Sequence, residues 1–301
     1  MSGSESAAMA VLTAVDDVRA WRAGRDRVGF VPTMGFLHAG HLSLVHRAVA
    51  DLPGRASGVA ASVFVNPTQF GPQDDLAAYP RALERDLELL RAAGCHMVFV
   101  PLARDMFPPG YQTWIQLDDV AAPLEGERRP GHFRGVATVV AKLLHIVQPS
   151  QAYFGHKDAQ QLAVIRTMVR DLDMAVEIVG CPTVREPNGL AMSSRNSYLN
   201  DEERRAAGVL YRALTAAAAA WRDGQRDAEQ LRRVMRVVLD GEPLALTEYV
   251  SVADADTLRE LERADVGALL SMAVRVGPAR LIDNLVLGAQ PGPDAPGGTV
   301  T

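Results

Sequence analysis

Five short stretches hold residue types able to bind and move phosphate or a small organic acid. The first is Val31-Pro32-Thr33-Met34-Gly35-Phe36-Leu37-His38-Ala39-Gly40-His41. Gly35 and Gly40 allow close backbone approach, and His38 and His41, three apart, can project from one side of a first helical turn as donors to phosphate oxygens. A helix N-terminus adds unsatisfied N–H groups and the positive end of its dipole. Such donors stabilise charge that builds on a phosphorane and on departing pyrophosphate. The same pair also reads as two zinc ligands or as surface residues without a task, although H-E-x-x-H is absent.

The second stretch is Phe154-Gly155-His156-Lys157-Asp158-Ala159-Gln160-Gln161. Lys157 offers a compact charge on a flexible stem, as the P-loop lysine does, although G-x-x-x-x-G-K-[ST] is missing. Asp158 either belongs to this site or caps the helix that follows. Gln161, one turn in, offers a donor and an acceptor to a polar substrate, or simply faces solvent. In Ala191-Met192-Ser193-Ser194-Arg195-Asn196, two hydroxyls and a guanidinium make a mobile anion clamp able to close over a nucleotide, or an ordinary serine-rich loop. Asn66-Pro67-Thr68-Gln69-Phe70 presents Asn66 and Gln69 to an organic acid, or forms a plain turn. Pro130-Gly131-His132-Phe133-Arg134-Gly135 places glycines and polar groups where they can line the same cleft.

The elements that position these stretches alternate in the manner of βαβ units around a parallel sheet. Strands are expected at Val28–Val31, Val59–Val65, Met97–Val100, Ala152–Phe154 and Ala175–Val179. Between them lie helices: Gly40–Ala50 with Leu44, Val45, Ala48 and Val49 on one face; Arg81–Ala93 burying Leu83, Leu87 and Leu90; Gly135–Val147 with a stripe of Val136, Val139, Val140, Leu143, Leu144 and Val147. A further helix carries Leu162, Ile165, Met168 and Val169. The histidine stretch therefore follows the first strand and opens the first helix, where ligands bind in open α/β sheets. After about residue 184 the texture changes: a polar loop, helices over 201–222 and 227–240, the first capped by Asn200 and Glu203, then β-rich runs at Leu246–Val252 and Met272–Val276. The expected architecture is α/β, a Rossmann-like domain over 1–184 with a smaller α+β domain over 185–289. The Pro- and Gly-rich segment 290–301 is expected to be a disordered tail.

Composition narrows the function. The 301 residues suggest about two domains, and 48% hydrophobic with 22% charged residues is an ordinary globular balance. Lys+Arg 31 against Asp+Glu 36, a net charge of -5, disfavours a nucleic-acid partner. No apolar run approaches the ~18 residues that span a bilayer, so no membrane partner is expected. Met1 to Ala10 lacks a positive n-region, and Cys95 and Cys181 stand far apart outside any C-x-x-C, so a reducing, cytoplasmic location is expected, with both thiols buried.

Together, in this order and spacing, the five stretches resemble the pantoate–β-alanine ligase family. Pro32-Thr33-Met34-Gly35 with Leu37-His38-Ala39-Gly40-His41 is similar to that family's form of the HIGH signature of adenylating enzymes. Phe64-Val65-Asn66-Pro67-Thr68-Gln69-Phe70-Gly71, Tyr79-Pro80-Arg81, the 130–135 stretch, Gly155 with Lys157-Asp158 and Gln160-Gln161, and Met192-Ser193-Ser194-Arg195-Asn196 resemble its other motifs, and coverage runs from about residue 10 to 288. Two positions depart: His156 replaces a common Glu, and Phe36 is bulkier than the usual residue after Met-Gly.

The resemblance implies condensation of pantoate with β-alanine through a pantoyl-adenylate, with ATP as co-substrate, Mg²⁺ on the triphosphate and a homodimer. It implies His38, His41, Lys157, Ser193, Ser194 and Arg195 as catalytic groups, with a proton-donor role for His41. ATP is placed against Met34, Gly35, Gly155, Asp158, Val184 and Met192 as well as those six, pantoate against Gln69 and Gln161, with Gln69 near β-alanine too, and Asp86 near Mg²⁺; Asn66, read as a contact to an organic acid, joins the substrate-binding residues. Two other classes stay open: a nucleotidyltransferase that releases an adenylylated product, and a non-catalytic nucleotide-sensing module of the same fold. A tRNA synthetase fragment fits least, given the acidic charge.

Overall fold

Val28, Gly29, Phe30 and Val31 are all buried, which a strand achieves when helices cover both faces of its sheet. They lie in β2 (Arg27–Thr33), the centre of a six-stranded sheet of order β1-β4-β3-β2-β5-β6. The other strands are β1 (Ala10–Leu12), β3 (Ser57–Val63), β4 (Met97–Phe99), β5 (Gln151–Gly155) and β6 (Glu177–Cys181). Every pair from β1 across to β5 is parallel. The computed structural model describes residues 8–288 except 55, 72 and 73. The segment expected to be a disordered tail lies outside the described residues.

Strand order reverses at β2: β3 and β4 build outward on one side, β5 and β6 on the other. That reversal is the topological switch point, outside whose carboxyl ends a ligand crevice forms. The covering helices are α1 (Val15–Ala23), α2 (Ala39–Asp51), α3 (Leu83–Ala92), the single turn α4 (Ala103–Met106), α6 (His132–Val147) and α7 (Ala159–Asp171), with the short α5 (Glu125–Arg128) preceding α6. In α6 the whole expected stripe is buried. Val49 of α2, 37% exposed, departs from the expected helix faces, and so does Leu83, at 41% exposed. It opens α3, and a helical side chain lies over the turn before its own, which here does not exist; the inward face is formed by Asp86 and Leu90 instead.

The C-terminal part holds α8 (Asp201–Ala206), α9 (Val209–Arg222), α10 (Ala228–Asp240) and the antiparallel strands β7 (Ala245–Asp254), β8 (Ala268–Val276) and β9 (Ala279–Val286), in the order β7-β8-β9. The helix expected over 201–222 is two helices, separated at Ala207–Gly208. Asn200 and Glu203 cap the first reciprocally. Helix α10 packs on α9 and β7, burying Leu210, Leu214, Leu231, Met235, Leu270 and Met272. Each such side chain contributes about 1.5–3 kcal/mol.

The chain divides into two compact units. One comprises the residues up to Leu117 with Arg129–Phe154 and Val164–Cys181; the other comprises Asp118–Arg128, Gly155–Ala163 and everything from Pro182 onward. The short segments bearing Glu125 and Lys157 thus belong with the C-terminal unit. Cys95 and Cys181 are both buried in the first unit, and burial pushes their thiols up to about 12 and about 11, so neither carries thiolate at neutral pH.

Candidate active site

In the first unit, β2 hands the chain to α2 through two left-handed residues, Gly35 at φ 82 and Phe36 at φ 51. A turn of this shape leaves its N–H groups pointing inward, and a buried N–H needs an acceptor. Thr33 Oγ1 accepts from the Gly35 N–H at 3.2 Å. Asp86, on α3, accepts from Phe36 N–H at 2.7 Å and from Leu37 N–H at 2.8 Å, one per carboxylate oxygen. Its side chain is only 1% exposed. The acid expected near Mg²⁺ is therefore the group that holds the histidine turn in shape. Gly35 packs so closely that an added Cβ would stand 3.0 Å from Asp86 Oδ2.

His38 occupies the N-cap of α2 and His41 its third position, with ring centroids 4.0 Å apart. His41 Nδ1 accepts from the His38 backbone N–H at 3.4 Å. In the neutral ring the proton then sits on Nε2, so His41 is built as a donor away from its own helix.

The Asn66–Gln69 corner follows β3 as a 3-10 turn, Pro67–Gln69. Asn66 is 1% exposed. Its Oδ1 accepts from Thr68, and its Nδ2 donates to Gln69 Oε1 at 3.0 Å and to the Gly135 carbonyl at 3.3 Å. Helix α6 approaches here so tightly that a Cβ on Gly135 would collide with the Thr68 carbonyl oxygen. Asn66 thereby fixes Gln69, whose Nε2 points to Met34 Sδ at 3.3 Å. Met34, Gly35, Asn66 and Gln69 come together, at the turn that His38 continues.

His132, from the stretch expected to line the cleft, completes this corner with two residues not anticipated from sequence, Arg129 and Asp74. His132 Nδ1 bonds the Gln69 carbonyl at 2.8 Å, so it carries the proton there, and Arg129 Nη1 reaches Nε2 at 3.2 Å. Arg129 also pairs with Asp74 at 2.8 Å. Burial alone would push the Asp74 carboxyl up, but Arg129, the Gly71 N–H and His132 outweigh it and hold the carboxyl below the usual range. The available signal was Arg129 directly before Pro130-Gly131-His132.

The C-terminal unit takes up the chain at Gly155, the last residue of β5, and a 3-10 turn, His156–Asp158, leads into α7. Lys157 Nζ lies 3.3 Å from Asp158 Oδ1, with the lysine side chain 19% exposed. Asn284 of β9 donates from one Nδ2 to the His156 carbonyl at 2.9 Å and the Lys157 carbonyl at 2.8 Å. Gln160 is a structural wedge: it takes the Glu125 N–H and donates to the carbonyls of Val120 and Pro123. Gln161 stays half-buried on the same turn of α7.

The 185–197 loop, expected to be mobile, is tied at both ends. Met192 N–H bonds the Val184 carbonyl at 3.0 Å. Asn196 donates to Glu186 and to the Ala191 carbonyl, and Arg185 makes a two-pronged ion pair with Asp283 at 2.6 and 2.9 Å. Ser193 caps the 3-10 turn Ser194–Tyr198 through the Arg195 N–H. Ser193 and Arg195 are half-buried and Ser194 is buried. Among the described residues no group of three or more His, Cys, Asp or Glu is placed to hold a metal ion, and no helix is long and apolar enough to cross a membrane.

These clusters carry groups of the kinds that hold a nucleotide phosphate or a small acid. The family model described as Pantoate-beta-alanine ligase matches residues 9–286. The pantothenate synthetase of Herpetosiphon aurantiacus is 59% identical over 281 residues, 93% of this chain and 100% of the relative. That of Chloroflexus aurantiacus is 60% identical over 280 residues, 93% of this chain and 98% of the relative. Among solved structures, the pantothenate synthetase of Thermus thermophilus has a TM-score of 0.87 at 48% identity, with 92% of this chain and 99% of that one covered. The pantoate-beta-alanine ligase of Francisella tularensis, complexed with beta-gamma ATP and β-alanine, has a TM-score of 0.76 at 32% identity, covering 95% of this chain and 100% of that one. With the histidine turn at the switch point of its sheet and a family match over nearly its whole length, the chain belongs to the pantoate–β-alanine ligase family.

Proposed function

We propose that this chain condenses pantoate with β-alanine, cleaving ATP to AMP and pyrophosphate and passing through pantoyl-adenylate. The observation that carries the reading is the histidine turn: a donor pair at the N-terminus of α2, locked from behind by Asp86, in a chain of this family. The order of events follows from carboxylate chemistry. A carboxylate is a poor acylating agent because its leaving group would be oxide; joining it to AMP supplies a stable one. The pantoate carboxylate attacks the α-phosphorus in line, an O–P bond forms, and the bond to pyrophosphate breaks. His38, His41, Lys157, Ser193, Ser194 and Arg195 neutralise the triphosphate and the departing pyrophosphate. In the second step the unprotonated amine of β-alanine attacks the acyl carbon, a C–N bond forms, and AMP leaves with the former carboxylate oxygen; His41 donates a proton to that oxygen and is reprotonated by the proton the nitrogen sheds as it becomes the amide.

Gln69 and Gln161 hold pantoate, while Asn66 acts by fixing Gln69. Met34, Gly35, Gly155, Asp158, Val184 and Met192 line the nucleotide. Magnesium enters with the nucleotide as MgATP, since such an ion keeps several waters and binds mainly through phosphates. Asp86, expected near the ion, accepts one N–H group on each of its oxygens and so also holds the turn. A homodimer in the cytoplasm completes the proposal.

The test is pantoate-dependent exchange of labelled pyrophosphate into ATP without β-alanine, followed by assay of AMP and pantothenate once β-alanine is added. Exchange followed by equimolar AMP and amide is the expected result. Pyrophosphate release with no AMP would instead mark a nucleotidyltransferase, and ATP binding without either step a sensing module.

A further inference from the structure

We propose that Asn284 of β9 is a positioning residue for ATP binding, acting through Lys157; the proposal rests on the reading of Lys157 as a triphosphate ligand. The carbonyls of His156 and Lys157 face one amide nitrogen, and Asn284 Nδ2 donates one hydrogen to each, at 2.9 and 2.8 Å. Asn284 is 8% exposed, so neither carbonyl would find water in its place without rearrangement. The two bonds set the path of the turn that carries the Lys157 Cα, and a four-carbon stem delivers its ammonium only as accurately as its root is placed.

Asn284 is itself aimed from its own strand. Its backbone N–H donates to Asp283 Oδ1 at 2.8 Å. Asp283 holds Arg185 in a buried two-pronged pair, and Arg185 also donates to the Gly189 carbonyl at 3.0 Å and lies over the Tyr211 ring at 4.0 Å. Arg185 opens the loop that bears Met192, Ser193, Ser194 and Arg195. Two adjacent side chains of β9 thus anchor both anion-binding segments of the C-terminal unit, the lysine turn through Asn284 and the serine loop through Asp283. Neither residue needs to touch ATP to set where the touching groups stand.

The experiment measures MgATP affinity by titration calorimetry on the full chain and on Asn284→Ala, Lys157→Ala and the double variant. Positioning through Lys157 predicts that Asn284→Ala weakens MgATP binding roughly tenfold, and that the same change adds little once Lys157 is already Ala, because coupled residues are non-additive. Aminolysis of preformed pantoyl-adenylate by β-alanine, in which no triphosphate takes part, should stay within about threefold of the parent. Equal losses in both half-reactions, or fully additive losses in the double variant, would overturn the proposal in favour of a merely structural amide. Should Asn284→Ala fail to fold, Asn284→Asp keeps the size but offers no donor, and is expected to show the same loss of ATP affinity. Because ATP affinity is read without pantoate, a parent that binds MgATP yet shows no pantoate-dependent exchange would defeat the assigned reaction while leaving this proposal to its own result.

Discussion

The histidine turn and the lysine turn, both proposed to meet the triphosphate, are held by opposite chemistry. The first runs through left-handed backbone and leaves N–H groups inside, so it is held by an acceptor, the carboxylate of Asp86. The second is a 3-10 turn that leaves carbonyls inside, so it is held by a donor, the amide of Asn284. The kind of holder follows from which backbone group the turn leaves unmatched. A buried acid beside a proposed phosphate site is therefore no sign of a metal ligand by itself, and a buried amide is no sign of a substrate contact.

The largest expected effect sharpens the contrast from the lysine side. The Arg185–Asp283 pair is 8% and 2% exposed at its two side chains, and removing one partner of such a pair costs about 3–5 kcal/mol because a buried charge is left alone. Asp283→Ala should lower the urea midpoint accordingly and weaken MgATP binding at the same time. A variant with unchanged unfolding would remove the anchor from the account.

Next come the groups the two turns present. His41→Ala and Lys157→Ala should each slow pantoate-dependent pyrophosphate exchange by about 10²–10³-fold, the usual cost of one preorganised donor, with circular dichroism unchanged. His41 tests the acceptor-held turn and Lys157 the donor-held one. Normal exchange in either would withdraw the assigned role on that side.

A smaller effect is expected from exchanging the holders' chemistry. Asp86→Asn keeps one acceptor and sets an NH₂ against the other backbone N–H, a loss of about 1–3 kcal/mol. Urea unfolding should register it, and exchange should slow because the His38 end of the turn relaxes. Full stability in Asp86→Asn would mean that the turn holds itself, and the comparison would fail on its better-buried side.

Which parts of this were legible in sequence follows the range of the interactions. Strands β2 to β4 and helices α2, α6 and α7 announce themselves because apolar periodicity is local. Helix α1 buries only Val18 among charged neighbours, and β9 interrupts its apolar run with Arg280, Asp283 and Asn284, so neither carries a clean period. The split of α8 from α9 falls in an Ala-Gly step that an alanine-rich pattern hides. The histidine and lysine turns were readable from their glycines and their place after strands. Their holders were not: Asp86 meets its turn across 49 and 50 residues and Asn284 across 127 and 128. In sequence a carboxylate on a helix face looks solvated, and only the fold shows it at 1% exposure.

The smallest expected effect concerns the Asp74–Arg129 pair beside Gln69, the partly exposed counterpart of the two buried holders, at 24% and 18% exposed. Its carboxyl titrates below the ordinary aspartate range, burial being outweighed by Arg129, the Gly71 N–H and His132. A carboxyl whose folded value lies below its unfolded value binds protons more readily when unfolded, so the stability it adds is complete above the unfolded value, about 3.9, and fades as pH falls through the folded one. At neutral pH the pair therefore contributes in full, though pairs this open to solvent are worth only about 0–1 kcal/mol. Asp74→Asn should leave the shape of the pH–stability curve above about 5 unchanged and flatten its acid limb. The readout is urea unfolding from about pH 2.5 to 7, a range that brackets the unfolded carboxyl value. An acid limb as steep as the parent's would mean that Arg129 is held to the corner by His132 and the Gln69 carbonyl, without Asp74.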